Sequence, residues 1–234
     1  MTSDLSIMKN SSGPSLNENR MKKLFAVGDI HGRLDKLKQL MGKIEARPES
    51  DTLIFLGDYI DRGPDSKGVV DYILELKKGF RNLYCLMGNH EKMLLDYLQL
   101  RRHNRELYLL NGGIETLKSY GLSTDGPLSA ADLPEKHLSF FRSLLYYYET
   151  EDYIFVHAGL RPGRSLAMQD IDDLIWIRED FFHTPCEFEK TVVFGHTPFG
   201  HPYTDSCRIG IDTGAVYSGV LTCLELPNKI FHQV

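Results

Sequence analysis

Gly57-Asp58-Tyr59-Ile60-Asp61-Arg62-Gly63 follows Thr52-Leu53-Ile54-Phe55-Leu56, and this junction decides the fold. The apolar run has the length and flanks of a strand buried on both faces, as in parallel sheets. Glycine lets the chain turn sharply where the strand ends, so polar side chains emerge at the carboxyl edge, where open α/β sheets place ligands. Two carboxylates and a guanidinium within five residues are costly to crowd together unless something multiply charged sits among them. Taken alone, the stretch also reads as a solvated Asp-Arg turn. Two sister stretches decide against that. Leu24-Phe25-Ala26-Val27 runs into Gly28-Asp29-Ile30-His31-Gly32, and Leu83-Tyr84-Cys85-Leu86-Met87 runs into Gly88-Asn89-His90-Glu91. Three parallel strands then place Asp29, His31, Asp58, Asn89 and His90 along one sheet edge. Two more strand-like runs end in histidine, at His157 and His196. Carboxylate, amide oxygen and imidazole are the donors that suit Mn, Fe and Zn. The five strand ends predict a metal site.

With 234 residues, 42% of them apolar, the chain can bury a full core. The expectation is one α/β domain over residues 21–234, behind a disordered tail, residues 1–20, rich in Ser, Asn, Gly and Pro. A net charge of −5 carries no electrostatic footprint for nucleic acid or anionic membrane. No apolar run reaches the length of a membrane span, and no charged-then-apolar leader is present. These features predict a cytoplasmic protein, monomeric or weakly self-associating, without nucleic-acid or membrane partners. Cys85, Cys186, Cys207 and Cys223 are scattered and contain no CxxC pair, which predicts free thiols in a reducing cytosol.

Along the chain, Leu34, Leu37, Leu40, Met41 and Ile44 recur at helical spacing. Pro64-Asp65-Ser66 supplies a turn and cap before a second helix lined by Val69, Val70, Ile73, Leu74 and Leu76. A third helix is expected over residues 91–102. Residues 103–148 read as a helical cap beside the site, broken by Asn111-Gly112-Gly113, and are expected to select substrate. Its aromatic group Phe140, Phe141, Tyr146, Tyr147 and Tyr148 reads as core packing in preference to a base-stacking surface. A short amphipathic helix is expected over residues 171–177. Strand-like runs close the chain at residues 191–194, 208–211, 219–226 and 229–232. A two-sheet sandwich flanked by helices fits this order.

GDIHG, GDYIDRG, GNHE, a VHAG histidine and a GHT histidine, in that order over residues 22–226, resemble the signature of the PPP-type metallophosphatases. That group belongs to the calcineurin-like metallophosphoesterases, and the likeness is greatest to compact bacterial and phage serine/threonine phosphatases. It implies an α/β fold of two β-sheets flanked by helices. The chain departs from the eukaryotic enzymes at Gly210-Ile211-Asp212-Thr213-Gly214-Ala215, where a SAPNY-type loop would fall. That departure bears on eukaryotic regulatory partners and toxin sensitivity, not on the chemistry.

The resemblance implies Asp29, His31 and Asp58 on one divalent metal and Asp58, Asn89, His157 and His196 on the other, so that Asp58 bridges. Mn²⁺ is the expected ion, with Fe or Zn as alternatives, and a hydroxide bridging the pair is the implied nucleophile. It further implies His90 as general acid with Asp61 orienting its ring, and Arg62 and Arg178 as the grips on the phosphate. For Arg178 the bland alternative is a surface pairing with Glu179 or Asp180. Arg33 and Arg161 stand behind these as supporting candidates. His103, His137, His183, His201 and His232 lack motif context and read as ordinary residues. Tyr217 reads as packing near the site. The leading expectation is hydrolysis of phosphoserine or phosphothreonine in proteins. The alternatives are symmetrical hydrolysis of dinucleoside polyphosphates and a catalytically silent scaffold, and the filled ligand positions argue against the scaffold. Arg101, Arg102 and Arg105 read as a solvated helix face more simply than as a polyphosphate track. On this reading phosphopeptides outcompete dinucleoside tetraphosphate.

Overall fold

The structure, a computed structural model, describes residues 22–100, 105–126, 128–217 and 219–234. The tail expected over residues 1–20, and Arg101, Arg102 and His103, lie outside the described residues.

Five strands form the first sheet: β1 (Leu24–Val27), β2 (Thr52–Phe55), β3 (Asn82–Cys85), and, from the end of the chain, β9 (Thr222–Leu226) and β10 (Ile230–Gln233). Their order is β10-β9-β1-β2-β3. β1, β2 and β3 are parallel and level, Val27 pairing with Phe55 and Phe55 with Cys85. All three therefore release their following residues at one edge. The second sheet contains β4 (Tyr147–Glu149), β5 (Tyr153–Val156), β6 (Thr191–Phe194), β7 (Tyr203–Thr204) and β8 (Arg208–Gly210), ordered β4-β5-β6-β8-β7. Its central strands β5, β6 and β8 are also parallel, so His157, His196 and Asp212 follow three neighbouring strand ends.

Side chains alternate across each strand. Ala26, Ile54, Leu86, Phe155, Val193, Ile209 and Leu224 point between the sheets and form one buried layer. Phe25, Val27, Leu53 and Phe55 face outward against Leu37 and Leu40 of α1 (Leu34–Lys43) and Val69, Val70 and Ile73 of α2 (Ser66–Gly79). The Asp65 carboxylate accepts the Gly68 N–H at 2.8 Å and caps α2 as its sequence predicts.

Two boundaries differ from expectation. α3 (Asn89–Leu100) starts at Asn89, so Asn89 and His90 sit in its first turn and not in a loop before it. Asp58 Oδ1 accepts the His90 N–H at 3.1 Å there. Tyr147 and Tyr148, placed in the helical cap by sequence, belong to β4. Tyr148 stacks on Tyr84 with ring centroids 4.0 Å apart, because cross-sheet packing overrides the helical run before it. The described remainder of the cap is helix-rich: α4 (Arg105–Tyr108), a π-turn at Leu109–Gly113, α5 (Ile114–Ser119) and α6 (Glu135–Arg142), with a largely irregular stretch between α5 and α6. Phe140 and Phe141 are buried, as packing residues should be.

The thiols also need correcting. Cys186 and Cys207 form a disulfide, with Cα atoms 6.1 Å apart, while Cys85 and Cys223 are free and buried. Cys207 directly precedes β8, and the β6–β8 pairing carries it back beside the loop that follows the short helix Glu179–Phe182, a juxtaposition that spacing alone does not reveal. No helix among the described residues is long and apolar enough to cross a membrane.

Candidate metal centre and active site

The turn after β2 holds the site together. Gly57 has φ 108°, and a Cβ there would lie 2.7 Å from the Gly88 nitrogen and 2.9 Å from His157 Nδ1. Beyond it, Asp58 (φ 51°), Asp61 (φ 71°) and Arg62 (φ 67°) all occupy the left-handed region, as do His31 (φ 45°) and His196 (φ 62°). Such conformations cost about 1–3 kcal/mol each and persist only where surrounding contacts enforce them. Buried Glu91 supplies part of that enforcement. One of its oxygens accepts the N–H groups of Asp58 (2.9 Å) and Gly88 (3.1 Å), and the other those of Tyr59 (2.8 Å) and Ile60 (3.2 Å).

The predicted donors converge. Asp58 Oδ2 lies 3.4 Å from His31 Nε2, and Oδ1 lies 3.5 Å from His157 Nε2, so one carboxylate faces two groups of ligands. Asn89 Oδ1 sits between His157 Nε2 (3.0 Å) and His196 Nδ1 (2.9 Å). Both Asp29 oxygens accept the His196 N–H, at 3.0 and 3.2 Å. The donor atoms of His31, Asp58 and His90 lie within 4.8 Å of one another, as do those of Asp58, His157 and His196. The first set contains His90 where the resemblance places Asp29.

Chemistry as well as spacing fits divalent cations. His31 Nδ1 donates to the Ile60 carbonyl at 2.8 Å and His157 Nδ1 to the Leu56 carbonyl at 2.9 Å, which turns each Nε2 lone pair toward the cluster. Burial drives the imidazoles toward their neutral form, His31 to about 3 and His196 to about 2. Burial, helped by Asp212 and Asp58, pushes the Asp29 carboxyl well up, and burial lifts Asp212 to about 6. Neutral imidazoles aimed at crowded, desolvated carboxylates are a donor set for dications. The His and Asp side chains are positioned for a dinuclear metal site.

His90 Nδ1 lies 2.7 Å from Asp61 Oδ2, while its buried Nε2 has no hydrogen-bond partner among the described residues and stands 3.9 Å from Asp58 Oδ2. The other Asp61 oxygen accepts from Tyr108 Oη (2.9 Å) and Thr116 Oγ1 (2.5 Å), so the cap helices hold the carboxylate that holds His90. Arg62 Nη1 is 2.7 Å from His31 Nε2, and its N–H donates to the Gly112 carbonyl at 3.1 Å. Arg178 approaches the opposite end, with Nε 3.1 Å from His196 Nε2 and Nη2 3.2 Å from the His196 carbonyl. Its surface alternative does not hold, because Asp180 pairs with Arg161 and Glu179 with His183.

The other candidates separate. Arg161 is tied to Asp173 and Asp180 away from the cluster, whereas Arg33 bonds Asp35 and the Ala215 carbonyl beside Arg62. Arg105 donates to the Thr124 carbonyl. His137 is a buried packing residue bonded to Tyr120 (2.7 Å) and Asp71 (3.0 Å), and His232 pairs with Glu225. Tyr217 is not a packing residue. It is 57% exposed with the Arg62 guanidinium 5.5 Å from its ring centre, because the loop after Gly214 lifts it off the core. Sequence reasoning also missed Glu91, Asp212, Tyr108 and Thr116. Glu91 stood inside a quoted motif, and Asp212 follows a strand end like the recognised ligands, whereas nothing local marks Tyr108 or Thr116.

Residues 22–218 match the calcineurin-like phosphoesterase family, and the chain belongs to it. It is a metal-dependent hydrolase of the metallophosphoesterase type. Among curated relatives, it is 26% identical to a bis(5'-nucleosyl)-tetraphosphatase PrpE [asymmetrical] of Oceanobacillus iheyensis, across 91% of this chain and 92% of that one. It is 28% identical to serine/threonine-protein phosphatase 1 of Salmonella typhimurium, across 87% and 91%. The fold is shared with the crystal structure of a "putative diadenosine tetraphosphatase", at TM-score 0.71 and 24% identity over 92% of this chain and 94% of that one.

Proposed function

We propose that the chain hydrolyses dinucleoside tetraphosphates asymmetrically, to a nucleoside triphosphate and a nucleoside monophosphate. The likeness to an asymmetrical tetraphosphatase over nine-tenths of both chains carries this reading. It promotes the alternative from the sequence above the phosphoprotein reading, and it replaces symmetrical cleavage. The phosphoprotein reading keeps support from the Salmonella relative, which matches at similar identity and coverage.

In this reading Asp29, His31, Asp58, Asn89, His157 and His196 hold two divalent cations, with Asp58 shared. When bound, such ions lower the pKa of water and offset charge on the phosphoryl oxygens. Arg62 and Arg178, each beside a ligand histidine on opposite sides, grip those oxygens in forked hydrogen bonds. Water oxygen adds to phosphorus and one phosphoanhydride P–O bond breaks. The water's proton passes to bulk solvent, and the departing oxygen takes one from His90 Nε2 or leaves as the anion. Asp61 keeps the His90 ring aimed, with Nε2 turned toward the cluster.

The test compares kcat/KM for diadenosine tetraphosphate and a phosphoserine peptide under matched Mn²⁺, with products separated by chromatography. The expected result is an advantage of about tenfold or more for the dinucleotide, with ATP and AMP formed in equal amounts. A peptide that wins by that margin reinstates the phosphoprotein reading.

A further inference from the structure

Charge is unevenly distributed on the two sides of the metal centre. Beside Arg62 runs a cleft of about 610 Å³ whose walls carry three cations, Arg33, Lys38 and Arg62, against the carboxylates of Asp35 and Asp65. Both carboxylates are already engaged, Asp35 with Arg33 and Asp65 in capping α2. Lys38 is exposed on α1 with its ammonium 5.9 Å from the Tyr72 ring centre, and no carboxylate pairs with it among the described residues. Beside Arg178 lies a smaller cleft of about 320 Å³, where Arg161 and Arg178 face four carboxylates, Asp172, Asp173, Glu179 and Asp180. One side is net positive by one charge and the other net negative by two. The acidic side presents Trp176, 41% exposed, with its ring edge-on to His196 at 6.0 Å.

We infer that a bound dinucleoside tetraphosphate lies in one direction across this site. Its triphosphate arm runs along Arg62, Arg33 and Lys38, and the nucleoside of its monophosphate arm rests against Trp176. The inference rests on the tetraphosphatase reading. Three of the four phosphates follow the cations, since the acidic cleft would repel a polyphosphate but tolerates a neutral base. An exposed indole offers that base a stacking face. Unequal sides of this kind account for unequal products, because the metal centre then meets the chain one phosphate from its end.

Product inhibition of p-nitrophenyl phosphate hydrolysis tests the direction. In Lys38→Glu, the Ki for ATP is expected to rise about tenfold at low ionic strength while that for AMP moves less than twofold, and the difference shrinks in 0.5 M salt. In Trp176→Ala, the Ki for AMP is expected to rise about threefold or more. An unchanged ATP Ki in Lys38→Glu, or an equal rise for both nucleotides, overturns the assignment. If the wild-type protein fails to cleave diadenosine tetraphosphate, the tetraphosphatase reading falls by that result alone, while the two inhibition constants still judge the clefts.

Discussion

Replacing Glu91 by Gln is nearly isosteric and removes one feature, the second acceptor oxygen. In the native site, four backbone N–H groups from the two ligand turns converge on this carboxylate, two on each oxygen. Glutamine keeps one oxygen and turns an NH₂ group toward the other two donors. Hydrogen bonds to a charged group contribute about 1.5–3 kcal/mol each, so losing two costs about 3–6 kcal/mol. Relief of a buried negative charge near Asp58 and Asp61, which pushes the Glu91 carboxyl up after burial itself, offsets part of this. A net loss of about 3 kcal/mol lowers the melting temperature of a domain this size by roughly 6–12 °C. Circular dichroism melts in chelator and in Mn²⁺ measure it, with calorimetric Mn²⁺ titration alongside. Because the Glu91 contacts hold Asp58 in its left-handed conformation, Mn²⁺ affinity should fall together with stability. A Glu91→Gln protein that melts within about 2 °C of wild type and binds Mn²⁺ normally would refute the role assigned to this carboxylate.

Asp58→Ala should abolish high-affinity binding of both metals, whereas His31→Ala should retain partial occupancy at one; metal analysis after desalting distinguishes them, and two tightly held ions in Asp58→Ala would remove its bridging role. His90→Asn should lower kcat by roughly 10²–10⁴ on an alkyl phosphate with metal content near normal, and by less where the leaving group is a nucleotide or aryl oxide. Equal losses on all leaving groups would take His90 out of the acid role. Asp212 has its folded pKa raised to about 6, so its protonated form favours the fold at low pH, and that contribution is lost as pH rises from about 4 through 6. In chelated protein, Asp212→Asn should therefore gain stability over wild type across that window, by on the order of 3 kcal/mol. A difference in melting temperature that is flat with pH would contradict the shift.

Most of the candidate site was legible in sequence because each proposed ligand lies within four residues of a buried strand's end, and parallel strands in level register bring such ends together. The glycine-aspartate and glycine-asparagine junctions therefore announced themselves. Tyr108 and Thr116 did not, since their contact with Asp61 crosses about fifty residues and depends on a π-turn ending in Gly112 and Gly113. β4 and β7 were missed because two or three residues carry too little alternation to register, and their pairing is supplied by β5 and β8. The Cys186–Cys207 bridge and the exposure of Tyr217 likewise belong to tertiary placement. Propensity had no information on either.

The two sheets each own half of the metal centre. His31, Asp58 and Asn89 follow strands of the first, His157 and His196 strands of the second, and an apolar layer lies between the sheets behind them. A cation held at such a seam is a rivet. The sheets cannot part without drawing its ligands apart, and the ligand set does not exist until the sheets have met. Bound metal thereby adds its binding free energy to the docking of the two sheets, and the slowest amide protons in β1, β2, β5 and β6 should exchange more slowly in the loaded protein than in the chelated one.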